Sequence, residues 1–490
     1  MKPSNVLFIF SDEHDPRYMG CSGHPFVRTP NLDRLAERGT RFSNAWTPCP
    51  ICVPARASLA TGRYVHQIGY WDNAIAYEGR IPSWGHRLQQ NGMRVESIGK
   101  LHYTNETDPT GFDRQQEPMH ILDGVGLIWG AVRDPMPDKA GPSPLFGQIG
   151  AGLSSYNRYD LRIADLAIEW LAERGNQRSK ERDPKPWVLF LGFVAPHMPL
   201  VVPQKYLDLY PLDSIPSPKL MPHEGWERHP WVERMATHWD HDATLGTAEK
   251  RKLAIASYFG LITYLDEQVG RLVEALDRAG LADDTHVIYS TDHGDNLGAR
   301  GLWNKCVMYR ESTAVPLIIA GPEVRSGHTC STNVSLVDVY PTIIDAVGLE
   351  KTPAERDLPG ESLFMIAARP DDPNRVGFSE YHAVGAVTGV FMVTRGRYKY
   401  HHYVGFSPEL FDLETDPEET RNLAGDSAYE DVVAEYEALL LSMLDPEAVD
   451  RRAKDDQNAL VARYGGPEAV RTMGNAGATP APQKFQKGAS

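Results

Sequence analysis

Four runs rich in apolar residues, each followed by polar residues, constrain the fold of this 490-residue chain most strongly. They cover residues 5–10, 187–193, 286–292 and 315–320. Such runs are typical of strands buried on both faces of a parallel sheet. Helix-period segments lie between them, and the clearest covers residues 247–280, where apolar side chains form one stripe. The sequence therefore predicts an α/β fold, a large mostly parallel sheet flanked by helices.

After about residue 370 the pattern changes to short alternating segments at 376–381, 390–394 and 398–402. They predict a small antiparallel sheet, which a helix over 429–444 follows. Residues 446–490 are polar and rich in Gly, Ala and Pro. We expect an α/β catalytic domain over 1–370, an α+β subdomain over 371–445 and a C-terminal tail over 446–490. Residues 135–152 are expected to form a loop over the active site.

The tail is too polar to bury enough surface to stay ordered alone. We therefore expect a homodimer, or a tetramer of paired dimers, in which the tail acts as an oligomerisation arm. The alternative is a tail that lies along its own subunit.

Composition excludes several classes of protein. Fifty Lys and Arg stand against 65 Asp and Glu, and this net charge of −15 argues against a nucleic-acid partner. No apolar run approaches the roughly 20 residues that span a bilayer, and the N-terminus lacks the apolar stretch of a signal peptide. Five cysteines are too few for a disulfide scaffold. We expect a cytoplasmic protein without a membrane partner.

Acidic residues close two of the predicted strands. Asp12 and Glu13 follow the first run, and Asp292 with His293 closes the third. Because ligands bind beyond the carboxyl ends of strands in open α/β sheets, these residues predict a site for a divalent cation. The alternative is that each aspartate only caps a following helix, but the two together favour a metal.

A cysteine-containing stretch carries the most specific chemistry. It reads Cys49-Pro-Ile-Cys52-Val-Pro54-Ala-Arg56, and Ala-Thr-Gly-Arg follows at residues 60–63. A helix that begins near Cys52 would form an electropositive seat for an anion together with Arg56. A redox or zinc pair of Cys49 and Cys52 is an alternative, although no second ligand pair stands at zinc spacing. A buried, unreactive cysteine is another.

This stretch resembles the Cys-x-Pro-x-Arg signature of the sulfatases, a family within the alkaline phosphatase superfamily. Further resemblances follow in the family's order over about residues 4–420. They are Asn5–Asp12, residues 29–36, Gly99-Lys100-Leu-His102, Pro196-His197-x-Pro199, residues 291–298 with Lys305, and residues 409–419. The resemblance implies an alkaline-phosphatase-like fold and a sulfuric ester hydrolase of the arylsulfatase type.

The resemblance also implies the chemistry of the site. A formylglycine-generating maturation enzyme would convert Cys52 to formylglycine, whose hydrate is the nucleophile. The positions that match the family's metal ligands are Asp12, Cys52, Asp292 and His293.

The resemblance also implies roles for the positions that would surround the substrate. Catalytic roles fall to Cys52, Arg56, Lys100, His102, His197, Asp292 and Lys305, and substrate contacts to Asn73, Lys100, His197 and Lys305. Among them, Asp292 would accept the proton of the attacking hydroxyl, and His102 that of the second hydroxyl. His197 and Lys305 match the general acid for the leaving alcohol.

The sequence departs from the common sulfatase pattern at the metal site. Glu13 stands where many sulfatases have a second aspartate, and His293 stands in place of an asparagine. An imidazole ligand favours manganese, with calcium as the alternative. These departures, and Asn73, resemble the subgroup of phosphonate monoester hydrolases and choline-sulfatase-like enzymes.

Lys100 and His102 separate the candidate activities, because phosphonate hydrolases of the family have neutral residues at these positions. We therefore expect hydrolysis of a small organic (aryl or alkyl) sulfate monoester, with some activity on phosphorus esters. The alternatives are a phosphonate monoester hydrolase or phosphodiesterase, and a noncatalytic binding protein whose Cys52 stays unconverted.

Overall fold

The computed structural model describes residues 2–137, 145–178, 185–474 and 478–486. Its centre is an eight-stranded sheet of β1 (Asn5–Asp12), β2 (Gly39–Phe42), β3 (Arg94–Lys100), β4 (Arg114–Met119), β5 (Trp187–Pro196), β6 (Thr285–Thr291), β7 (Leu317–Ala320) and β8 (His328–Cys330). The spatial order is β8-β2-β7-β6-β1-β5-β3-β4. Within this sheet β7 alone runs opposite to the other strands. The prediction of a mostly parallel sheet is confirmed, although the run at 315–320 forms its antiparallel member.

Helices cover both faces of this sheet. The long ones are α1 (Pro30–Glu37), α2 (Cys52–Thr61), α3 (Ser155–Arg178), α4 (Ala248–Arg278), α5 (Val339–Ala346), α6 (Glu430–Met443) and α7 (Pro446–Arg463). Side chains of β1 alternate between the faces, so that Leu7 and Ile9 pack with α1, α3 and α4, whereas Val6 and Phe8 pack with α2 and α5. The two-sided α/β architecture predicted from the sequence is therefore confirmed.

The remaining α-helices have four to nine residues and connect these elements. Their bounds are Val65–Ile68, Trp84–Gln89, Gln204–Leu207, Pro230–His238, His241–Leu245, Arg310–Thr313, Leu363–Ala367, Pro467–Val470 and Gln483–Gln486. Two parallel strand pairs, Ala45–Trp46 with Val334–Ser335 and Ile149–Ala151 with Leu200–Val202, lie outside the large sheet.

A second sheet follows the α/β part of the chain. Its strands β9 (Gly377–Tyr381), β10 (Val390–Arg395), β11 (Tyr398–Tyr403) and β12 (Glu409–Asp412) pair antiparallel in chain order. Tyr436 and Leu440 of α6 are buried in the same cluster as Phe391 of this sheet. The predicted antiparallel sheet and its helix are confirmed.

The C-terminal tail packs on its own chain. Residues 446–463 form α7, a helix that the sequence analysis did not predict, and Arg133 anchors it through a buried ion pair with Asp450 at 3.1 Å. Val470 and Ala481 are buried beyond it. The homodimer or tetramer stays a prediction. Of the expected loop over 135–152, residues 138–144 lie outside the described residues, and Ile149–Ala151 form a short strand.

Candidate active site

The carboxyl ends of four neighbouring strands meet at one edge of the large sheet. Asp12 ends β1, Lys100 ends β3, His197 follows β5, and Asp292 follows β6. In the order β6-β1-β5-β3 these ends are adjacent, as the topology of an open α/β sheet requires for a ligand site.

Helix α2 delivers Cys52 to this edge. Cys52 is the first residue of the helix, and the residue before it provides no side-chain cap. The side chain of Asn73 replaces that cap, since its Oδ1 accepts a hydrogen bond from the backbone N–H of Val53 at 3.1 Å. The helix ends at Gly62, where φ is 67° and a Cβ atom would lie 2.9 Å from Tyr340. The Cys52 thiol therefore lies at the positive end of a buried helix.

Arg56, one turn further along α2, is buried between two carboxylates. Its Nε donates to Asp292 Oδ2 and its NH2 group to Asp12 Oδ2, both at 2.8 Å, and NH1 donates to the carbonyl of Lys100 at 3.0 Å. Both guanidinium edges are thus used by the protein. In this arrangement Arg56 orients Asp12 and Asp292, and it does not line the pocket that opens next to Cys52.

Four donors close together form the candidate metal centre: Asp12, Cys52, Asp292 and His293, each buried, with donor atoms within 4.8 Å of one another. His293 Nε2 lies 3.2 Å from Cys52 Sγ, and its Nδ1 donates to the carbonyl of Gly294 at 3.0 Å. This contact leaves the Nε2 lone pair free for a cation. Asp12, Asp292 and His293 fit a divalent ion, with residue 52 completing the group.

The protonation of these groups suits a cation. Burial lowers the pKa of His293 to about 4, which keeps the imidazole neutral at physiological pH. Burial works against the charge of Asp12, but Lys100 and further cations outweigh it and hold the pKa of this carboxyl well below its usual range. Burial raises the pKa of the unconverted Cys52 thiol well above its usual value.

The structure argues against the two alternative roles of the cysteines, a Cys49–Cys52 redox or zinc pair and an unreactive Cys52. All five cysteines are free thiols, and Cys49 belongs to no group of metal donors among the described residues. Cys52 is buried, but it contacts Asp12 at 3.7 Å, Lys305 at 3.5 Å and the His293 imidazole. Its surroundings are polar and charged, which distinguishes it from an unreactive core cysteine.

Cationic and imidazole side chains surround the open side of Cys52. Lys305 Nζ is also 3.2 Å from Glu13 Oε2, and His197 Nε2 lies 3.4 Å from the same oxygen. Lys100 Nζ contacts Asp12 Oδ2 at 2.6 Å. Burial opposes the charge of Lys305, but the neighbouring Cys52 and Glu13 outweigh it and raise the pKa of this lysine well above its usual range.

Glu13 is not a member of the four-donor group, and its carboxylate faces Lys305 and His197. Its φ is 68°, a left-handed conformation, and its carboxylate contacts Lys305 and His197. A second set of close donors consists of Asp12, Glu13 and His197. Glu13 therefore faces the side of the site that Lys305 and His197 form.

The pocket brings together six of the predicted site residues. Cys52, Asn73, Lys100, His102, His197 and Lys305 line it, and Asp12, Arg56, Asp292 and His293 lie directly behind Cys52. The rest of the lining is mainly apolar and includes Ile51, Ile121, Leu127, Leu145, Trp239 and Val384.

Sequence reasoning missed one pocket residue that contacts a predicted catalytic group. Thr479, in the C-terminal tail, lines the pocket, and its Oγ1 lies 2.8 Å from His102 Nε2. No residue pattern around Thr479 signals such a contact.

Models of known protein families match most of this chain. A family model described as Sulfatase matches residues 4–349, and a second, described as N-sulphoglucosamine sulphohydrolase, C-terminal, matches residues 298–445. The chain belongs to the sulfatase family. The predicted resemblance to sulfatases of the alkaline phosphatase superfamily and the prediction of a sulfuric ester hydrolase are confirmed.

Individual sulfatase relatives match over most of this chain. A choline-sulfatase from Rhizobium meliloti is 32% identical over 433 residues, 86% of this chain and 82% of the relative. Arylsulfatase K from Danio rerio is 29% identical over 91% of this chain and 85% of the relative. A multifunctional alkaline phosphatase superfamily protein from Trinickia caryophylli is 31% identical over 90% and 95%.

Solved structures share the sulfatase fold. The phosphonate monoester hydrolase of Agrobacterium radiobacter superimposes with a TM-score of 0.70 at 23% identity, covering 90% of this chain and 95% of that one. A protein solved in complex with its substrate D-glucosamine-2-N,6-O-disulfate gives a TM-score of 0.67 at 23% identity, covering 93% of this chain and 99% of that one.

Among the residues that the structure describes, no helix is long and apolar enough to cross a bilayer.

Proposed function

We propose that this sulfatase hydrolyses a small organic sulfate monoester, with an aryl or alkyl leaving group, through a formylglycine at position 52. The observation that carries the proposal is the position of Cys52 between two groups of opposite character. On one side lie the carboxylates and imidazole of the four-donor group, and on the other lies Lys305 Nζ at 3.5 Å. A metal and an anionic ester would meet at this residue.

The metal and the modification have distinct tasks. Formylglycine supplies, as its hydrate, an oxygen nucleophile, and a divalent ion on Asp12, Asp292, His293 and residue 52 would lower the pKa of that oxygen. The nitrogen donor of His293 favours manganese over calcium. A formylglycine-generating maturation enzyme is thus an implied partner.

The remaining polar residues act on charge and protons. Lys100 and Lys305 would hold the anionic sulfate group, and Asn73 would keep the N-terminal turn of α2 in place next to it. Asp292 would accept the proton of the attacking hydroxyl, and His102 that of the second hydroxyl. Arg56 would keep Asp292 oriented through its 2.8 Å hydrogen bond.

Lys305 is the better placed of the two candidate general acids. His197 Nδ1 donates a hydrogen bond to the carbonyl of Met198 at 2.7 Å, and burial lowers the pKa of this imidazole, so its Nε2 carries no proton to give to the leaving alcohol. Lys305 lies next to residue 52 and retains its proton at neutral pH. We assign proton donation to Lys305, and a contact of His197 with the sulfate group would require the protonated ring.

The apolar part of the pocket supports an aryl or alkyl leaving group. Trp239 and Val384 form part of its wall, and no carboxylate lines the pocket among the described residues. Choline sulfate is a further candidate because a choline-sulfatase is among the relatives.

A cytoplasmic location and a homodimer, or a tetramer of dimers, are part of the same proposal. Light scattering on the full chain tests the oligomer, and a monomer would contradict it.

A parallel rate comparison tests the proposed activity. An aryl sulfate, choline sulfate, a phosphonate monoester and a phosphodiester are assayed with manganese and with calcium, and Cys52→Ala serves as the control. We expect the highest kcat/KM for a sulfate ester with manganese. A clear preference for the phosphonate would support the phosphonate monoester hydrolase instead.

A further inference from the structure

The C-terminal segment 478–486 is fixed to the wall of the active site of its own chain. Ala481 is 1% exposed and belongs to the apolar core between the large sheet and helices α1, α3 and α4. The ring of Phe485 packs edge-on against Tyr159 of α3 with centroids 5.3 Å apart, and its carbonyl accepts a hydrogen bond from Arg158 Nε at 3.2 Å. Residues 478–480 are therefore held at a defined position beside the pocket.

Thr479 uses that position to reach His102. Its Oγ1 lies 2.8 Å from His102 Nε2, and its carbonyl accepts a hydrogen bond from the hydroxyl of Tyr156. The other ring nitrogen, His102 Nδ1, is buried and has no hydrogen-bond partner among the described residues. The backbone of His102 is also constrained, since its φ is 60° and its N–H donates to the carbonyl of Met119 at 2.8 Å.

We propose that Thr479 is a positioning residue for His102: its Oγ1 accepts the Nε2–H hydrogen bond and so keeps the free lone pair on Nδ1. A neutral imidazole has one N–H and one acceptor nitrogen, and the threonine hydroxyl can pair with either. The buried Nδ1 without a partner favours the N–H on Nε2, because a buried N–H without an acceptor is costlier than a bare lone pair. The inference rests on the proposed function, in which His102 accepts a proton.

The proton balance of this arrangement is complete. Nδ1 would take the proton of the second hydroxyl of the sulfated formylglycine hydrate, whose O–H electron pair becomes the C=O of formylglycine while the C–O bond to sulfate breaks and sulfate leaves. The ring is then an imidazolium with an N–H on both nitrogens, and the Nδ1 proton later returns to solvent. The Nε2–H···Oγ1 hydrogen bond persists in both states, so the ring does not rotate during the transfer. Without the threonine hydroxyl, the proton could occupy either nitrogen and no hydrogen bond would fix the orientation of the ring.

Three variants separate this role from a structural one. Thr479→Val removes the hydroxyl at nearly constant volume, and Thr479→Ser keeps it. Lys484→Met is the matched control, because it breaks the ion pair of the same segment with Glu117 without touching His102. Thermal melting of all three variants establishes that the protein remains folded.

The first measurement is independent of activity and uses the unconverted, metal-free protein. Nitrogen-15 NMR of the imidazoles distinguishes an Nε2–H from an Nδ1–H tautomer, and His102→Gln assigns the signal among the 17 histidines. We expect the Nε2–H signature in the wild type, in Thr479→Ser and in Lys484→Met, and its loss in Thr479→Val. An unchanged signature in Thr479→Val would overturn the proposal.

The second measurement is the hydrolysis of an aryl sulfate by converted enzyme. We expect Thr479→Val to lower kcat by about 10- to 100-fold with little change in KM, as loss of a residue that orients a catalytic group does. The serine variant should regain most of kcat. Equal kcat in Thr479→Val and the wild type contradicts the positioning role. If the converted wild type hydrolyses no sulfate ester, the proposed function fails, and the NMR result still decides the role of Thr479.

Discussion

Replacing Arg56 with methionine tests the electrostatic core of the site. The Arg56 side chain is 2% exposed and forms 2.8 Å ion pairs with both Asp12 and Asp292. Methionine preserves much of the length and removes the charge, so two buried carboxylates lose a shared counter-ion. Removal of one partner from a buried ion pair costs about 3–5 kcal/mol of folding free energy.

This loss converts into a measurable shift of the melting temperature. At about 2.1 cal/mol/K per residue, unfolding the 490-residue chain has an entropy of about 1 kcal/mol/K. Arg56→Met should therefore melt about 3–5 °C below the wild type in EDTA. A divalent cation on Asp12 and Asp292 replaces the missing charge, so excess Mn²⁺ should raise the melting temperature of the variant more than that of the wild type.

Arg133→Met is the control for this experiment. Arg133 is equally buried and pairs with Asp450 at 3.1 Å, but it is not in contact with the metal donors. Its variant should be destabilised with no extra recovery in Mn²⁺. Differential scanning calorimetry of both variants measures the shifts. A wild-type melting temperature for Arg56→Met in EDTA, or an equal recovery of both variants in Mn²⁺, would refute the reasoning.

Three further predictions concern the nucleophile, the metal ligands and the stability of the fold. Cys52→Ala should retain the wild-type circular dichroism spectrum and lose nearly all sulfatase activity, whereas substantial residual turnover would exclude residue 52 as the nucleophile. Asp292→Asn should lower kcat more than His293→Asn does, because it removes a metal ligand and the proposed base together, and His293→Asn should shift the metal preference in activity assays toward calcium. Burial raises the pKa of Asp266 to about 6, so its contribution to the free energy of unfolding is present below pH 4 and is lost as the pH rises through 6. The contribution amounts to about 3 kcal/mol. In urea denaturation, the free energy of unfolding of Asp266→Asn should therefore fall less between pH 4 and pH 7 than that of the wild type.

The sequence predicted those elements whose burial pattern is local. β1 and α4 were visible because a continuous apolar run and a helical stripe each encode burial, and α4 begins directly after Thr247, the first residue of the predicted segment. The direction of β7 was not predictable from its run, since burial on both faces is the same in either direction. The antiparallel pairing depends on how the chain returns to the sheet.

The tail was the main miss in the fold. The polar composition of α7 hid its helix, although Asp445 and Pro446 form a cap and first-turn signal that could have located it. Four buried side chains, among them Arg133 and Gln457, pair across the interface between α7 and the rest of the chain. Contacts between segments more than 300 residues apart leave no trace in local periodicity.

The site was predictable where short motifs carry it. Cys52, Asp292 and His293 stand in motifs of known order, and the structure brings their donor atoms within 4.8 Å. The cap that Asn73 provides to Val53 and the contact of Thr479 with His102 join distant segments. Such positioning contacts follow from the completed fold and from no single stretch of sequence.

Mass spectrometry of the peptide that contains residue 52 tests the central claim most directly. The protein is produced with and without a co-expressed formylglycine-generating enzyme, and the converted fraction is compared with aryl sulfate turnover of the same sample. We predict a residue about 18 Da lighter than cysteine, as replacement of CH₂SH by CHO requires, and activity in proportion to the converted fraction. Full activity in a sample whose Cys52 is an unmodified thiol would contradict the account.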